Sequence, residues 1–396
     1  GLFGSSEFAV RLPSALLSVV AIVLLYFLTL ELTGNAWLAF FASMILLFTE
    51  PFFMFGSRST RMDTGTVAAI LLATFSLVRG VKRERWLIGI GLGIGIGVMM
   101  KSVIGLLAIV PIVLFSALFG HWTWMKNRFF KYGIYLMFFI VVPWHIYESY
   151  RFGSAFWDVY LFGHIINRAL GAMQTAHYFK NLWNYVQPWT ALSLALIPLV
   201  MLSRTKDHAK TVAQFGLLSA TAILLFFVLI KTKIWWYLLP VYPFMALFIA
   251  TALFHMGEHV LRFRLKYLTI ICGILLVFGA KITITNGFVG VYQQNKYLDD
   301  QKNIGLLLWP NNNAEKIVIC CWDHQESIKF YSEQSPTGVI QGGYIPAEPH
   351  YFIIPTRSLA ELYRTTILYT IADVVYGGQY LTLLHAPSPA MLLKSK

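Results

Sequence analysis

Residues Trp86–Phe119 read WLIGIGLGIGIGVMMKSVIGLLAIVPIVLFSALF, and Lys101 is their only charged side chain. At about 1.5 Å of rise per residue the run is too long for one crossing of a bilayer core about 30 Å thick. The lysine divides it into two apolar flanks, so the sequence predicts two antiparallel helices, Trp86–Met100 and Val103–Phe119, joined by a turn at Lys101. The first is short for a span.

Composition extends this reading to most of the chain. Of 396 residues, 57% are hydrophobic and 12% are charged. Soluble globular domains carry about 25% charged residues, so soluble and disordered classes are excluded. Aromatic residues make up 16%, including 12 Trp and 20 Tyr, which suits membrane–water interfaces. Further apolar runs fall at Ser14–Leu32, Ala36–Met54, Asp63–Arg79, Phe130–Tyr147, Leu182–Leu202, Thr211–Ile230, Trp235–Phe254 and Tyr267–Thr285. The expectation is a polytopic α-helical membrane protein with about ten spans.

The net charge of +13 is unevenly placed. Residues 1–285 carry 23 Lys/Arg against 9 Asp/Glu, and residues 286–396 carry 8 against 9. Four short connections hold 13 of the basic residues: Arg79–Arg85, His121–Lys131, Ser203–Lys210 and His255–Lys266. With ten spans all four fall on one face, which the positive-inside bias makes cytoplasmic. Basic loops between spans account for the excess, and no nucleic-acid partner is expected. The opposite face is also net positive, which asks for an anionic ligand.

After Thr285 the pattern changes. Lys316–Trp322, His350–Pro355, Val374–Tyr376 and Leu381–Leu384 read as strands, and His324–Gln334 and Ser358–Thr365 as helices. We therefore divide the chain into a multi-span domain, residues 1–285, and a small extracytoplasmic α/β domain, residues 286–396. Between the spans, the aromatic loop Glu148–Asn181 reads as a helix lying in the outer interface, or as a short tilted span. Cys272, Cys320 and Cys321 form no disulfide framework or zinc-binding spacing.

Several motifs allow both a functional and a structural reading. The glycines of GIGLGIGIG (Gly89–Gly97) lack the strand and βαβ context of a dinucleotide site, and glycines four apart let helices approach closely. In SRSTRMD (Ser57–Asp63), Arg58 and Arg61 suit bidentate phosphate binding with Asp63 orienting an arginine, or an interfacial cap. Lys101 is an intramembrane cation with a functional role, or a snorkelling lysine. His164 and Arg168 lie four apart and share a helical face. In KTKIWWYLLPVYP (Lys231–Pro243), Pro240 and Pro243 break a span near its outer end, and Trp235, Trp236 and Tyr237 form an aromatic belt or line a site for a sugar or prenyl chain.

Taken in order, LFGSSEFAVRLPSALLS (Leu2–Ser18), SRSTRMD, MMKS (Met99–Ser102), PWHIYESYRFGSAFWDVYLFGHIINR (Pro143–Arg168) and KTKIWWYLLPVYP resemble the GT-C glycosyltransferases that use polyprenyl-phosphate sugars. The nearest branch looks like the bacterial lipid A aminoarabinose transferases and their protein-mannosyltransferase-like relatives. The resemblance implies inverting transfer of a sugar from a polyprenyl-phosphate carrier to lipid A, another glycolipid or glycan, or a protein. It places that reaction at the periplasmic face of a bacterial inner membrane, among membrane lipids. It implies lipid-phosphate contacts from Arg58, Lys101, His164 and Arg168, with Arg61, Asp63, Lys231, Lys233 and Tyr237 shaping the cavity. In such enzymes an acidic motif on an earlier outer loop usually supplies the base. Asp63 is only a weak substitute, so the expectation is a chain lacking its first span and its base, which would lie upstream of Gly1. No cofactor is expected as certain, and a divalent metal stays open without a visible ligand set. The competing expectations are a transporter or flippase for an anionic lipid, and a non-catalytic lipid-binding relative.

Overall fold

The computed structural model describes residues 7–56, 59, 61–171, 177–205, 207–257, 265–308, 316–319, 338–339, 350–356 and 373–386. Its contacts divide the chain into two compact units, Gly1–Asn286 and Gly287–Lys396.

The first unit is a helical bundle. Its helices are α1 Glu7–Thr33, α2 Ala36–Leu47, α3 Asp63–Lys82, α4 Ile88–Lys101, α5 Ile109–Phe119 and α6 Arg128–Phe152. They are followed by α7 Ser154–Trp157, a π-helical stretch Asp158–Ile166, and α8 Asn167–Leu170. The remainder are α9 Tyr178–Tyr185, α10 Trp189–Leu202, α11 His208–Leu229, α12 Val241–His255 and α13 Leu265–Leu308, whose residues after Asn286 belong to the second unit. Polar side chains start several of them. Asn35 accepts from the backbone N–H groups of Trp37 and Leu38 at 2.9 and 3.2 Å, and Asp207 accepts from that of Lys210 at 2.8 Å, supplying partners to otherwise orphaned helix-start donors.

Helix α3 is the centre of the first half, packed against α1 and α4, and α4 lies in turn on α6. The glycine run explains this layering. A Cβ on Gly91 would fall 1.8 Å from the carbonyl oxygen of Gly133 on α6, and one on Gly93 would fall 2.7 Å from that of Ala69 on α3. Gly91 and Gly95 thus face α6, while Gly89, Gly93 and Gly97 face α3. Glycine lets both neighbours approach until backbones touch. In the second half α12 is buried along almost its whole length and packs on α11, α10 and α2.

The expected hairpin at Lys101 is present. A Cβ on Gly97 would lie 3.0 Å from the Cα of Gly105, which eight residues of uninterrupted helix would hold about 12 Å away. The chain reverses at Ser102, whose φ is +53°, a left-handed conformation that costs a non-glycine residue energy and clusters at functional sites.

All ten apolar runs are helical, but they are less uniform than ten equal spans. Among the described residues six helical stretches are long and apolar enough to cross a membrane, the hairpin Glu84–Phe119 counting as one. Two others, Ala36–Leu47 and Val241–His255, are shorter. The run read as continuous over Leu182–Leu202 is instead a pair, α9 and α10, bent by 106°. Pro188 at the junction removes a backbone donor and restricts the residue before it. Trp235–Leu238 forms a separate 3₁₀ turn before α12, as Pro240 predicts. The last apolar run does not stop at Thr285: α13 continues to Leu308, and no proline interrupts it.

The second unit carries a five-stranded sheet of β1 Lys316–Ile319, β2 Gly338–Val339, β3 His350–Pro355, β4 Asp373–Gly377 and β5 Leu381–Ala386, ordered β2-β1-β3-β5-β4. β1 runs parallel to β2 and β3, and β5 antiparallel to β3 and β4. Ile304 and Leu308 of α13 pack on Ile353, Leu381 and Leu383. The helices expected at 324–334 and 358–365, and Cys320 and Cys321, lie outside the described residues.

Candidate functional site

The hairpin turn places Lys101 at the end of α4, beside the first turn of α3. There its ammonium forms an ion pair with Asp63, both side chains being largely buried. The same ammonium lies 4.4 Å from the ring centroid of Tyr237, a geometry in which the ring face attracts the cation. The Tyr237 hydroxyl accepts a hydrogen bond from Nη1 of Arg168 at 3.2 Å. One tyrosine therefore touches two cations that come from sequence positions far apart.

Arg168 is held by its backbone as well as its side chain. Its carbonyl accepts from the N–H of Thr232 at 3.2 Å, and that of Ala169 accepts from Lys231 at 3.1 Å. The segment before α9 is thus stitched to the loop before Trp235. Tyr178 supports the same loop by accepting from the Ile234 N–H at 3.1 Å.

Lys101, Arg168, Ala169 and Tyr237 line a cavity of about 660 Å³, within the usual range for ligand sites. Lys101, Ser102, Tyr160, His164, Arg168 and Tyr237 give it polar groups, and Met99, Val103, Leu106, Phe226 and Ile230 are among its apolar walls. Tyr160, His164 and Arg168 recur every four residues along the helical segment, so one face of it serves the cavity. Among the described residues lining the cavity none is a carboxylate. A wall with cations at one part and aliphatic side chains elsewhere suits an amphipathic anion.

The sequence-derived candidates are not all brought together. Lys101, His164, Arg168 and Tyr237 share the cavity wall. Asp63 stands behind Lys101. Arg61 stacks on Trp236, its Cζ 3.8 Å from the ring centroid, and its carbonyl accepts from the hydroxyl of Ser14 at 3.1 Å. The ammonium of Lys233 is directed at the carbonyl oxygens of Val228 and Ile230 at the end of α11, where a lysine complements orphaned acceptors. Lys231 is exposed and does not line the cavity. Arg58 lies outside the described residues. Among those residues no three His, Cys, Asp or Glu side chains form a metal-ligand group.

Sequence reasoning missed Trp144 and Tyr160 as cavity residues. The fourfold spacing Tyr160–His164–Arg168 was a usable signal; nothing local marked Trp144.

The family model for dolichyl-phosphate-mannose-protein mannosyltransferases matches residues 1–147. No curated protein sequence matches the chain. Among solved structures, ArnT from Cupriavidus metallidurans bound to undecaprenyl phosphate aligns with a TM-score of 0.73 at 14% identity, over 97% of this chain and 85% of that one. Its apo state gives 0.70 at 15%, over 95% and 83%. The archaeal oligosaccharyltransferase AglB from Archaeoglobus fulgidus, in complex with an inhibitory peptide and a dolichol-phosphate, gives 0.55 at 12%, over 90% and 59%. The chain has the ArnT-like GT-C fold, and the resemblance read from its ordered motifs is shared by its three-dimensional structure.

Proposed function

We propose that this protein is a multi-pass membrane glycosyltransferase that takes its sugar from a polyprenyl-phosphate carrier. The observation that carries the reading is the pairing of Lys101 and Arg168 through Tyr237 at one wall of a largely apolar cavity. The two cations, held by the ring and hydroxyl of Tyr237, bind a phosphate, and the aliphatic wall accepts the first isoprene units.

The chemistry follows from that placement. The bond between the sugar's anomeric carbon and the phosphate oxygen breaks as the acceptor oxygen attacks from the opposite side, which inverts the anomeric centre. The electron pair goes to the phosphate. Lys101 and Arg168, fixed before the reaction, stabilise the charge that develops there. Asp63 acts as a positioning residue through Lys101, because its carboxylate is already engaged by that ammonium. The acceptor's proton goes to a general base, and among the described residues lining the cavity none is a carboxylate.

The sidedness rests on the four basic loops, which favour one cytoplasmic face and leave the cavity on the other. We assign it to the periplasmic side of a bacterial inner membrane, with lipid A, another envelope glycolipid or glycan, or a protein as acceptor. The test is purified protein in detergent with labelled undecaprenyl-phosphate sugar and a panel of such acceptors. Label should move to an acceptor in the parent and be lost in Lys101→Ala. Carrier binding without transfer to any acceptor would favour the lipid-binding reading. Movement of labelled lipid across vesicles without transfer would favour a flippase.

A further inference from the structure

Trp144 and Tyr160 line the cavity but offer none of the cationic chemistry that a phosphate needs. Their surroundings fix what they offer instead. His145 Nδ1 lies 2.8 Å from the carbonyl oxygen of Val141. A carbonyl only accepts, so that nitrogen carries the proton. In the neutral imidazole Nε2 is then an acceptor, and it lies 3.1 Å from the Tyr160 hydroxyl. To that neutral ring the phenol donates. Its oxygen lone pairs are the polar function left to face a ligand, so Tyr160 accepts where Lys101 and Arg168 bind anions.

The corner is also rigid. The Tyr160 ring stacks on Phe156 with centroids 5.2 Å apart, and Trp144 packs edge-on against both Phe156 and Tyr160 at 5.6 and 6.1 Å. The helix bearing Tyr160 is π-helical there, a local widening that often accompanies functional positions.

We propose that Trp144 and Tyr160 form the glycosyl subsite of the cavity, which holds the hydroxyl-bearing ring of the carrier-linked sugar, and that His145 is the positioning residue that sets Tyr160 as its hydrogen-bond acceptor. A phosphate brings acceptors and finds no partner at Tyr160. A sugar ring brings O–H donors for the phenol oxygen and C–H faces for the indole. This inference rests on the carrier reading above, and it divides one cavity between the two halves of one donor molecule.

The experiment compares two probes on the purified protein: undecaprenyl phosphate without a sugar, and a panel of undecaprenyl-phosphate glycosides. The parent should bind at least one glycoside more tightly than the sugar-free carrier. Tyr160→Phe should weaken that glycoside about five- to tenfold, the scale of one hydrogen bond, and leave the sugar-free carrier unchanged. His145→Phe should weaken the same glycoside by no more than Tyr160→Phe does, and the double variant should be no worse than Tyr160→Phe alone, because His145 acts through the Tyr160 hydroxyl. Trp144→Leu should likewise act on the glycoside alone. Equal weakening of both probes would overturn the subsite, since a phosphate role or a merely structural one moves both. So would unchanged binding of both with a raised KM for the acceptor, which would place the acceptor at Tyr160. Failure of the parent to bind either probe would overturn the carrier reading itself.

Discussion

The ammonium of Lys101 and the carboxylate of Asp63 form an ion pair that ties the end of α4 to the start of α3. Both groups are mostly withdrawn from water, so each depends on the other. Removing one partner of a buried pair typically costs about 3–5 kcal/mol, whereas replacing both with apolar residues is often neutral. Lys101→Ala and Asp63→Ala should therefore each lower the melting temperature in detergent. The double variant Lys101→Met/Asp63→Leu should recover most of that loss while carrier binding stays lost. Recovery of binding with stability would remove Lys101 from the phosphate site.

Tyr237 makes a second prediction. Its hydroxyl accepts from Arg168, so Tyr237→Phe frees the guanidinium without removing charge or the ring beneath Lys101. Binding of undecaprenyl phosphate should weaken about fivefold, because the guanidinium keeps its charge and loses only the bond that orients it. Arg168→Ala should cost more, about 10- to 100-fold, because the lost contact is charged. The double variant should equal Arg168→Ala, since the hydroxyl acts through the arginine. Isothermal titration at two salt concentrations checks both, and the arginine variant should show the weaker salt dependence.

The glycine faces of α4 predict a steric asymmetry. Gly91 touches the backbone of α6, so Gly91→Ala must push two helices apart. We expect a loss of about 1–3 kcal/mol, the usual range for overpacking. Gly163→Ala is the control: its Cβ would meet only the Asp158 carbonyl oxygen at 3.5 Å, ordinary contact. Thermal melts in one detergent should separate the two. Equal melting temperatures would contradict the close approach of α4 and α6.

Asp300 makes a prediction confined to the second unit. Its carboxylate accepts from the hydroxyl of Tyr376 at 2.9 Å and from the N–H groups of Tyr380 and Leu381 at 2.7 and 3.1 Å. It thereby fixes the turn between β4 and β5 to α13. Asp300→Ala leaves those donors unsatisfied, at about 1–3 kcal/mol for a buried group. Hydrogen exchange in the full chain should speed up over residues 373–386 and remain unchanged over α3 and α4. A change spreading through both units would show that the latch is not local.

Much of the architecture was legible in the residues because a bilayer leaves few options. Backbone groups without water must pair within a helix, so apolar length alone marks the runs, and a lone lysine in a long run marks the hairpin. The alternate glycines of Gly89–Gly97 announced close packing, since no other residue permits it. Span shape was less legible: apolar length alone concealed the break that Pro188 makes in Leu182–Leu202, and α13 runs past the apolar residues that mark a span to Leu308.

The sequence by itself determined the class of fold, the basic loops, and the cationic candidates Lys101, His164 and Arg168. The tertiary structure decided which candidates meet. Lys101, Arg168 and Tyr237 converge because the hairpin turn, the start of α8 and the 3₁₀ turn before α12 arrive at one place, and no local pattern records such a meeting. It also directed Lys233 to the end of α11 and laid Arg61 on Trp236. The reason is physical: helix formation and membrane burial are set by the chemistry of neighbouring residues, whereas a binding site is set by distances between residues that the chain keeps far apart.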